Sequence, residues 1–230
     1  MKQILLILWF LFLPCVVCAQ DNTNVKALDS LYKEDQFYLG VTYNLFGEKP
    51  TEVSQSGFSL GFQLGFIKDM PINKGRNLAL ALGLGYSTNS FNQNILIDRV
   101  STGTLSFSVL DANSFSKNKF SSHYAEVPFE FRWRTSTAAD YNFWRIYAGM
   151  KLGYLIANTA KYQGVLGNRK LSDLEDFNKF QYGLTLSAGY ATWNLYFYYG
   201  LSPIFTEDAT LNNESLDIRT LKIGLIFYFL

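Results

Sequence analysis

Residues 124–134 read Tyr-Ala-Glu-Val-Pro-Phe-Glu-Phe-Arg-Trp-Arg. Apolar side chains from Ala125 to Trp133 occupy one parity, and the charged side chains from Glu126 to Arg134 occupy the other. A period of two is that of a β-strand, whose successive side chains point to opposite faces. The stretch therefore predicts a strand that separates an apolar environment from an ionic one.

Seven further segments repeat this alternation, and the connections between them are alternately long and short. Mean hydropathy is near zero, at +0.02, as expected when apolar and polar faces average out along strands. Short turns on one rim and long loops on the other are typical of outer-membrane barrels, in which the short turns are periplasmic. The sequence predicts an all-β fold, an eight-stranded antiparallel transmembrane β-barrel of the OmpA and OmpX size class. The seven other predicted strands are residues 36–46, 57–67, 78–87, 144–154, 181–190, 195–202 and 220–229.

The amino-terminal region resembles a secretory leader. A lysine precedes an apolar run of about a dozen residues, which is too short for a spanning helix, and small residues follow it. We therefore expect residues 1–19 to be a cleaved signal peptide, residues 20–35 a periplasmic N-terminal segment, and residues 36–230 the barrel domain. Cys15 and Cys18 lie upstream of the expected cleavage point, so the mature chain is expected to lack thiols and disulfides.

Closure of the sheet decides which face meets lipid. An arginine or lysine on the lipid side costs roughly 2 to 4 kcal/mol at the bilayer midplane. The alternate strand positions that carry leucine and aromatic residues are therefore predicted to face outward. The other parity then lines the interior, which in an eight-stranded barrel is about wide enough for its own side chains. We expect an ion-paired plug rather than a pore, and structural packing rather than a proton or ligand path. The predicted lumenal charge cluster comprises Glu126, Glu130, Arg132, Arg134, Arg145, Lys151 and Lys222. The predicted interfacial aromatic residues are Trp133, Trp144, Trp193 and Tyr43.

The chain offers little for catalysis. A catalytic serine or cysteine nucleophile needs a histidine as its base, and His123 is the one histidine of the chain. It is expected at the external rim of the barrel. We expect no catalytic, cofactor-binding or metal-binding residues, although an oxygen-only metal site in the acidic loops stays open. A net charge of +1 gives no general electrostatic case for nucleic acid. The acids of the last long loop, which are too scattered to indicate such a site, are Glu207, Asp208, Glu214 and Asp217.

Several blocks of this chain resemble the PorT family of Bacteroidota outer-membrane barrels. They are residues 126–134, 143–147, 151–154, 198–205 and 221–229. The resemblance implies a component of the type IX secretion system, which exports large cargo proteins and supports gliding motility in some species. It assigns no catalytic residues, and it implies other secretion subunits as partners.

The last strand is similar to the general signal read by the barrel-assembly machinery. Such barrels usually end in an aromatic residue, whereas this chain ends in Leu230. The functional hypothesis is a non-enzymatic accessory factor of type IX secretion in the outer membrane, in contact with lipid. The alternative is a generic small barrel, porin-like or envelope-stabilising, with no role in secretion. The predicted assembly-signal residues are Lys222, Gly224, Phe227 and Phe229.

Overall fold

The computed structural model describes residues 35–100, 103–111, 113–135 and 143–229. The predicted signal peptide and nearly all of the predicted N-terminal segment lie outside these residues. The described chain folds into β1 (Gln36–Phe46), β2 (Leu60–Pro71), β3 (Leu78–Asn92), β4 (Ile95–Arg99), β5 (Leu105–Val109), β6 (Phe115–Arg134), β7 (Trp144–Gly164), β8 (Gly167–Ser172), β9 (Phe180–Tyr190), β10 (Trp193–Pro203), β11 (Thr210–Leu211), β12 (Glu214–Ser215) and β13 (Arg219–Phe229).

Eight of these strands close into a barrel. Going round the ring, β1 pairs with β2, then come β3, β6, β7, β9, β10 and β13, and β13 pairs with β1 again. All of these pairings are antiparallel. Closure leaves no strand edge in the hydrocarbon, where each unpaired backbone amide would cost several kcal/mol. The predicted fold class is confirmed.

Two strands are much longer than predicted. The fourth and fifth strands of the ring, β6 and β7, have 20 and 21 residues, whereas about 9 to 11 suffice to cross a membrane. The long connection predicted before the strand at residues 124–134 therefore contains the start of β6, and His123 lies within β6 rather than just before a strand. Outside the lipid, the outward side chains no longer need to be apolar, but the backbones of β6 and β7 still pair. The hairpin therefore continues above the membrane with polar outward residues. We call residues 115–123 of β6, residues 155–164 of β7 and β8 the external ridge.

The second strand is shifted relative to its prediction. It begins at Leu60 rather than at residue 57, because Gly57 has a φ of 66° and interrupts the extended backbone. At its other end it continues to Pro71, through residues predicted to form a turn. Between β3 and β6, β4 and β5 pair with each other as a hairpin.

The outward face is apolar and ends in aromatic residues. At the end with the short turns, the Trp144 ring lies 5.3 Å from that of Tyr190 and the Trp193 ring lies 5.2 Å from that of Phe227. Trp144 and Trp193 are two of the four residues that the sequence predicts for the interfaces, and Tyr190 and Phe227 join them. The other two, Trp133 and Tyr43, are also exposed on the outer face. At the loop end, Tyr86 closes the lipid-facing row of β3. The barrel thus presents an apolar band between two interfaces.

The turn end is tight. Ala191 and the following residue join β9 to β10, and Ala191 has a φ of 53°, as two-residue hairpin turns require. The backbone amide of Ala191 donates to the carbonyl of Phe143 at 3.1 Å, which ties two neighbouring turns together. No helix among the described residues is long and apolar enough to span a membrane.

Candidate functional site

The seven side chains predicted for the lumen all lie inside the barrel. Each is at most 8% exposed, and Arg132 and Arg134 are fully buried. They occupy β6, β7 and β13 at positions of the inward parity. The structure divides them into two levels, and it places two of them outside any ion pair with a described residue.

The lower ion cluster lies at the turn end and consists of Asp69, Glu130, Arg132 and Arg134. Arg134 donates to both carboxylate oxygens of Asp69, at 3.0 and 2.8 Å. Arg132 donates through Nε to Glu130 at 3.0 Å and lies 3.5 Å from Asp69. One carboxylate therefore bridges two fully buried guanidinium groups through charge-assisted contacts.

Asp69 is not among the predicted lumenal residues, because the second predicted strand ends at residue 67, whereas β2 continues to Pro71. Its side chain is fully buried, and its backbone amide donates to Asp35 at 2.7 Å. The signal was present, because Asp69 keeps the inward parity of Gln63 and Ile67 on β2. Following the alternation one step further would have placed an acid opposite the predicted arginines.

The upper ion cluster lies in the middle of the barrel and consists of Glu126 and Lys151 with the neighbouring Lys222. Lys151 Nζ lies 3.0 Å from a Glu126 oxygen and donates to Gln63 at 2.5 Å. The Ser87 hydroxyl donates to the other Glu126 oxygen at 2.6 Å. A neutral hydroxyl and an amide oxygen thus add one hydrogen bond each to a buried ion pair.

Interior cations outnumber interior acids. Among the described residues, eight charged side chains are buried, five of them cationic and three acidic. Arg145 and Lys222 form no ion pair with a described carboxylate. Their charged groups lie instead over aromatic rings, Arg145 at 4.5 Å from the Phe143 ring and Lys222 at 4.8 Å from the Tyr198 ring. Desolvated cation–π contacts of this kind stabilise a buried cation by about 2 kcal/mol.

Tyrosines, which were not among the predicted lumenal residues, fill the interior between the charges. The Tyr147 ring lies 4.5 Å from the Arg132 guanidinium carbon, and the Tyr196 ring lies 5.2 Å from Lys151 Nζ. Tyr38, Tyr198 and Tyr228 belong to the same inward set. Their alternation with lipid-facing leucines and phenylalanines is the sequence signal for this lining.

A second interior region, the apolar cap, closes the loop end. Phe46, Phe91 and Phe120 extend the inward parity of three strands, with Phe91 5.3 Å from Phe46 and 5.0 Å from Phe120. Edge-on rings of Phe177 and Phe205 pack against Phe120 at 5.4 and 5.6 Å. The cap is a hydrophobic core built outside the bilayer. Its buried members are Phe46, Val53, Phe91, Ile95, Ile97, Phe120, Ala160, Leu174, Phe177, Ile204, Phe205, Ala209, Leu211, Leu216 and Ile218.

Asparagine side chains hold the external loops together over the cap. Asn94 accepts from the Ser54 amide at 2.7 Å and donates to the Glu52 carbonyl at 2.9 Å, which joins the first loop to the second. Asn178 donates to the Phe205 carbonyl at 2.7 Å, which joins the third loop to the fourth. These bonds satisfy loop carbonyls and amides that the cap would otherwise bury unpaired.

Between the upper ion cluster and the cap lies a small cavity. Its volume is about 20 Å³, and Glu126, Lys151 and Lys222 line it from below with Phe91 and Ile204 above. Such a space holds roughly one water molecule. At this level, the described side chains leave no more space than that between the upper ion cluster and the cap.

His123 lies on the outer surface of β6. Its Nδ1 is 2.6 Å from the Tyr86 hydroxyl on the neighbouring strand, and the two rings are stacked at 6.0 Å. No group of three or more histidine, cysteine or acidic residues with metal-binding geometry occurs in the described parts of the chain. This location is that of an interfacial residue next to the tyrosine that ends the lipid-facing row.

The predicted assembly-signal residues are spread over both faces of β13. Lys222 points inward, whereas Phe227 and Phe229 lie on the outward parity, and Phe229 is 47% exposed. Gly224 pairs with Thr42 across the seam where the first and last strands meet. Recognition of this strand by the assembly machinery stays a prediction.

Solved structures of other outer-membrane proteins show a distant similarity to this chain. Two crystal structures of Ail, the attachment invasion locus protein of Yersinia pestis, are similar, one of them in complex with the heparin analogue sucrose octasulfate. They are 14% and 11% identical, each covers 86% of this chain and 100% of its own, and the TM-scores are 0.35 and 0.36. Likeness at this level says nothing about what the chain binds. Among curated proteins, none matches the sequence.

A family match covers most of the chain. Residues 18–206 match the family described as "Outer membrane protein beta-barrel domain". With the closed eight-stranded ring and its apolar outer band, this match places the protein in the bacterial outer membrane. The chain belongs to the outer membrane protein β-barrel domain family.

Proposed function

We propose that this protein is a non-enzymatic accessory component of type IX protein secretion that acts through its outer surfaces. The observation that carries the proposal is the filled interior, with two ion clusters below and an apolar cap above. A barrel whose lumen is packed does not serve cargo as a conduit, so its contribution to export must come from contacts made by loops, turns or the barrel wall. The link to type IX secretion is supported by the resemblance of residues 126–134 and the later blocks to PorT proteins.

The partners in this proposal follow from the same surfaces. Other type IX secretion subunits would contact the external loops or the periplasmic turns, and outer-membrane lipid would contact the apolar band. The barrel-assembly machinery would insert the chain. No catalytic role or cofactor is part of the proposal, and no nucleic-acid contact is included.

Deletion of the gene tests the secretion role. We expect the deletion strain to lose type IX cargo from culture supernatants and to retain it in the periplasm, with export restored by an in-frame copy. Quantitative proteomics of supernatant and periplasm measures both pools, and cargo of an unrelated secretion route serves as the control. Unchanged supernatant cargo in the deletion strain would show that the assignment is wrong.

The generic-barrel alternative has two forms, and they are affected differently by the structure. Solute passage is disfavoured by the packed interior, whereas an envelope-stabilising role is compatible with it. The envelope-stabilising form predicts normal cargo export together with greater sensitivity of the deletion strain to detergent. The same deletion strain therefore separates the two functions.

Conductance measurements test the closed interior directly. We expect the purified protein in planar bilayers to show no steady single-channel current, because both ion clusters and the cap would have to rearrange to admit ions. A porin of known conductance in the same bilayer is the control for insertion. Reproducible steps of constant size from the folded protein would contradict this expectation.

A further inference from the structure

Three lysines form a row across the outward face of the external ridge. Lys119 on β6 is the register partner of Lys161 on β7, and Lys161 is the register partner of Lys170 on β8. Side chains that are directly opposite in an antiparallel pair lie on the same face, with Cβ atoms about 5 Å apart. We call Lys119, Lys161 and Lys170 the lysine row.

The row is unfavourable for the sheet by itself. Like charges directly opposite each other destabilise a strand pair, and none of the three lysines forms an ion pair with a carboxylate among the described residues. Lys119 lies above the membrane band, and burial together with the neighbouring Lys117 and Lys161 lowers its pKa. An anion seated on the row would remove the repulsion.

On the opposite face of the ridge, the charges are paired. Arg169, between β8 residues that point outward, turns towards the cap and forms an ion pair with Asp98 on the β4–β5 hairpin. Among the described residues, the inward cation of β8 therefore has an acidic partner, whereas the outward Lys170 beside it has none. This asymmetry points to a partner outside the chain.

The row borders a concave groove that runs sideways across β6 and β3 to the outward side chains next to and on β2. The groove has a volume of about 490 Å³ and is lined at one end by Lys119, Lys161 and Lys170. At its other end it is lined by Phe58 and Phe62, which are 81% and 49% exposed. One groove thus joins a cationic end to an apolar end.

The height of the row fits the head-group region. Lys119 lies four residues beyond His123 on β6, which corresponds to about 10 Å along the barrel axis for a rise of about 3.3 Å and a tilt of about 40°. A lysine side chain spans part of that distance, so its ammonium group reaches the layer just outside the hydrocarbon. The row faces sideways along the barrel wall rather than upward from the loops.

From these observations we infer that the groove binds a phosphorylated glycolipid of the outer leaflet. The phosphate groups would lie against the lysine row, and the acyl chains would lie against Phe58, Leu60 and Phe62. Lysine is a common phosphate ligand, and clusters of basic residues beside an apolar surface recognise anionic lipid head groups. A soluble polyanion would use the lysines but leave the apolar half of the groove uncovered. This inference does not depend on the role in secretion.

The test compares lipids on the folded full-length protein in detergent micelles. The probes are bis-phosphorylated lipid A, the same lipid after removal of its phosphates, and inorganic pyrophosphate, with binding measured by native mass spectrometry and by titration of tryptophan fluorescence. We expect the dephosphorylated lipid to bind at least tenfold more weakly and pyrophosphate to compete poorly. Equal binding of both lipids would overturn the inference. If pyrophosphate competes as well as the phosphorylated lipid does, the ligand is a free phosphate compound and not a lipid.

Matched variants locate the site. K119Q/K161Q is expected to weaken binding of the phosphorylated lipid by about tenfold, as expected for loss of two partly exposed charge contacts. K74Q/K179Q, which removes two exposed lysines elsewhere, should change it less than twofold. Unchanged affinity in K119Q/K161Q would contradict the inference. If that variant does not fold, K170Q at the exposed edge of the row and the lipid comparison on the unmodified protein decide the question.

Discussion

Asp69→Asn is expected to lower the free energy of unfolding by about 3 to 5 kcal/mol, because it leaves two buried guanidinium groups without their shared anion. Asp69 and Arg134 are both fully buried and are joined by two hydrogen bonds, of 3.0 and 2.8 Å. Arg132 would keep Glu130, but the charge of Arg134 would lose its carboxylate. Asparagine preserves the size of the side chain, so the effect reports the charge rather than a cavity.

The measurement is equilibrium unfolding in urea with the protein in lipid vesicles, followed by tryptophan fluorescence and by the gel shift between folded and unfolded barrel. Asp98→Asn is the matched control, because Asp98 also pairs with an arginine but lies near the surface, with its side chain 29% exposed. Partly exposed pairs are worth about 0 to 1 kcal/mol. Equal effects of the two substitutions would show that the lower ion cluster does not hold the barrel as described.

Phe120→Ala is expected to cost about 3 to 5 kcal/mol and to loosen the external loops, because it empties the centre of the apolar cap. Phe120 is fully buried and contacts rings from three directions: Phe91 at 5.0 Å, Phe177 at 5.4 Å and Phe205 at 5.6 Å. These partners come from β3 and from the third and fourth loops. Loss of the central ring should therefore free loops that are otherwise packed together.

Protease sensitivity of the loops reports this loosening while the transmembrane part stays folded. Limited trypsin digestion of the protein in vesicles should cut the Phe120→Ala variant in the external loops much faster than the unmodified protein. Phe58→Ala is the control, because it deletes the same ring from a site that is 81% exposed. Unaltered digestion of Phe120→Ala together with unaltered unfolding would mean that the cap does not hold the loops.

The alternation of residues 124–134 and its seven repeats was enough to predict the barrel, its strand number and the faces of its strands. It was enough because a period of two is a local property, and a bilayer admits strands only as a closed sheet. The same parity put Glu126, Arg132 and Lys151 on the inward side. Asp69 and the upper halves of β6 and β7 were not predicted, because they lie beyond the ends of the strands that the alternation indicated.

Pairing between distant strands was decided by the tertiary structure. The sequence placed Glu126 and Lys151 on one face, but only the register of β6 against β7 and the closure of the ring bring their charged groups to 3.0 Å. Five buried cations share three buried acids, and only the tertiary structure decides which cation contacts which acid. Arg145 and Lys222 contact aromatic rings instead of a described carboxylate.

The amino-acid sequence by itself determined the fold class of the protein. Alternating polarity is a property of neighbouring residues, and a membrane accepts few folds that have it. What only the tertiary structure decided was the closure of the loop end and the alignment of Lys119, Lys161 and Lys170. Both depend on contacts between residues far apart in the chain, since the cap joins four loops and the lysine row requires three strands in one register.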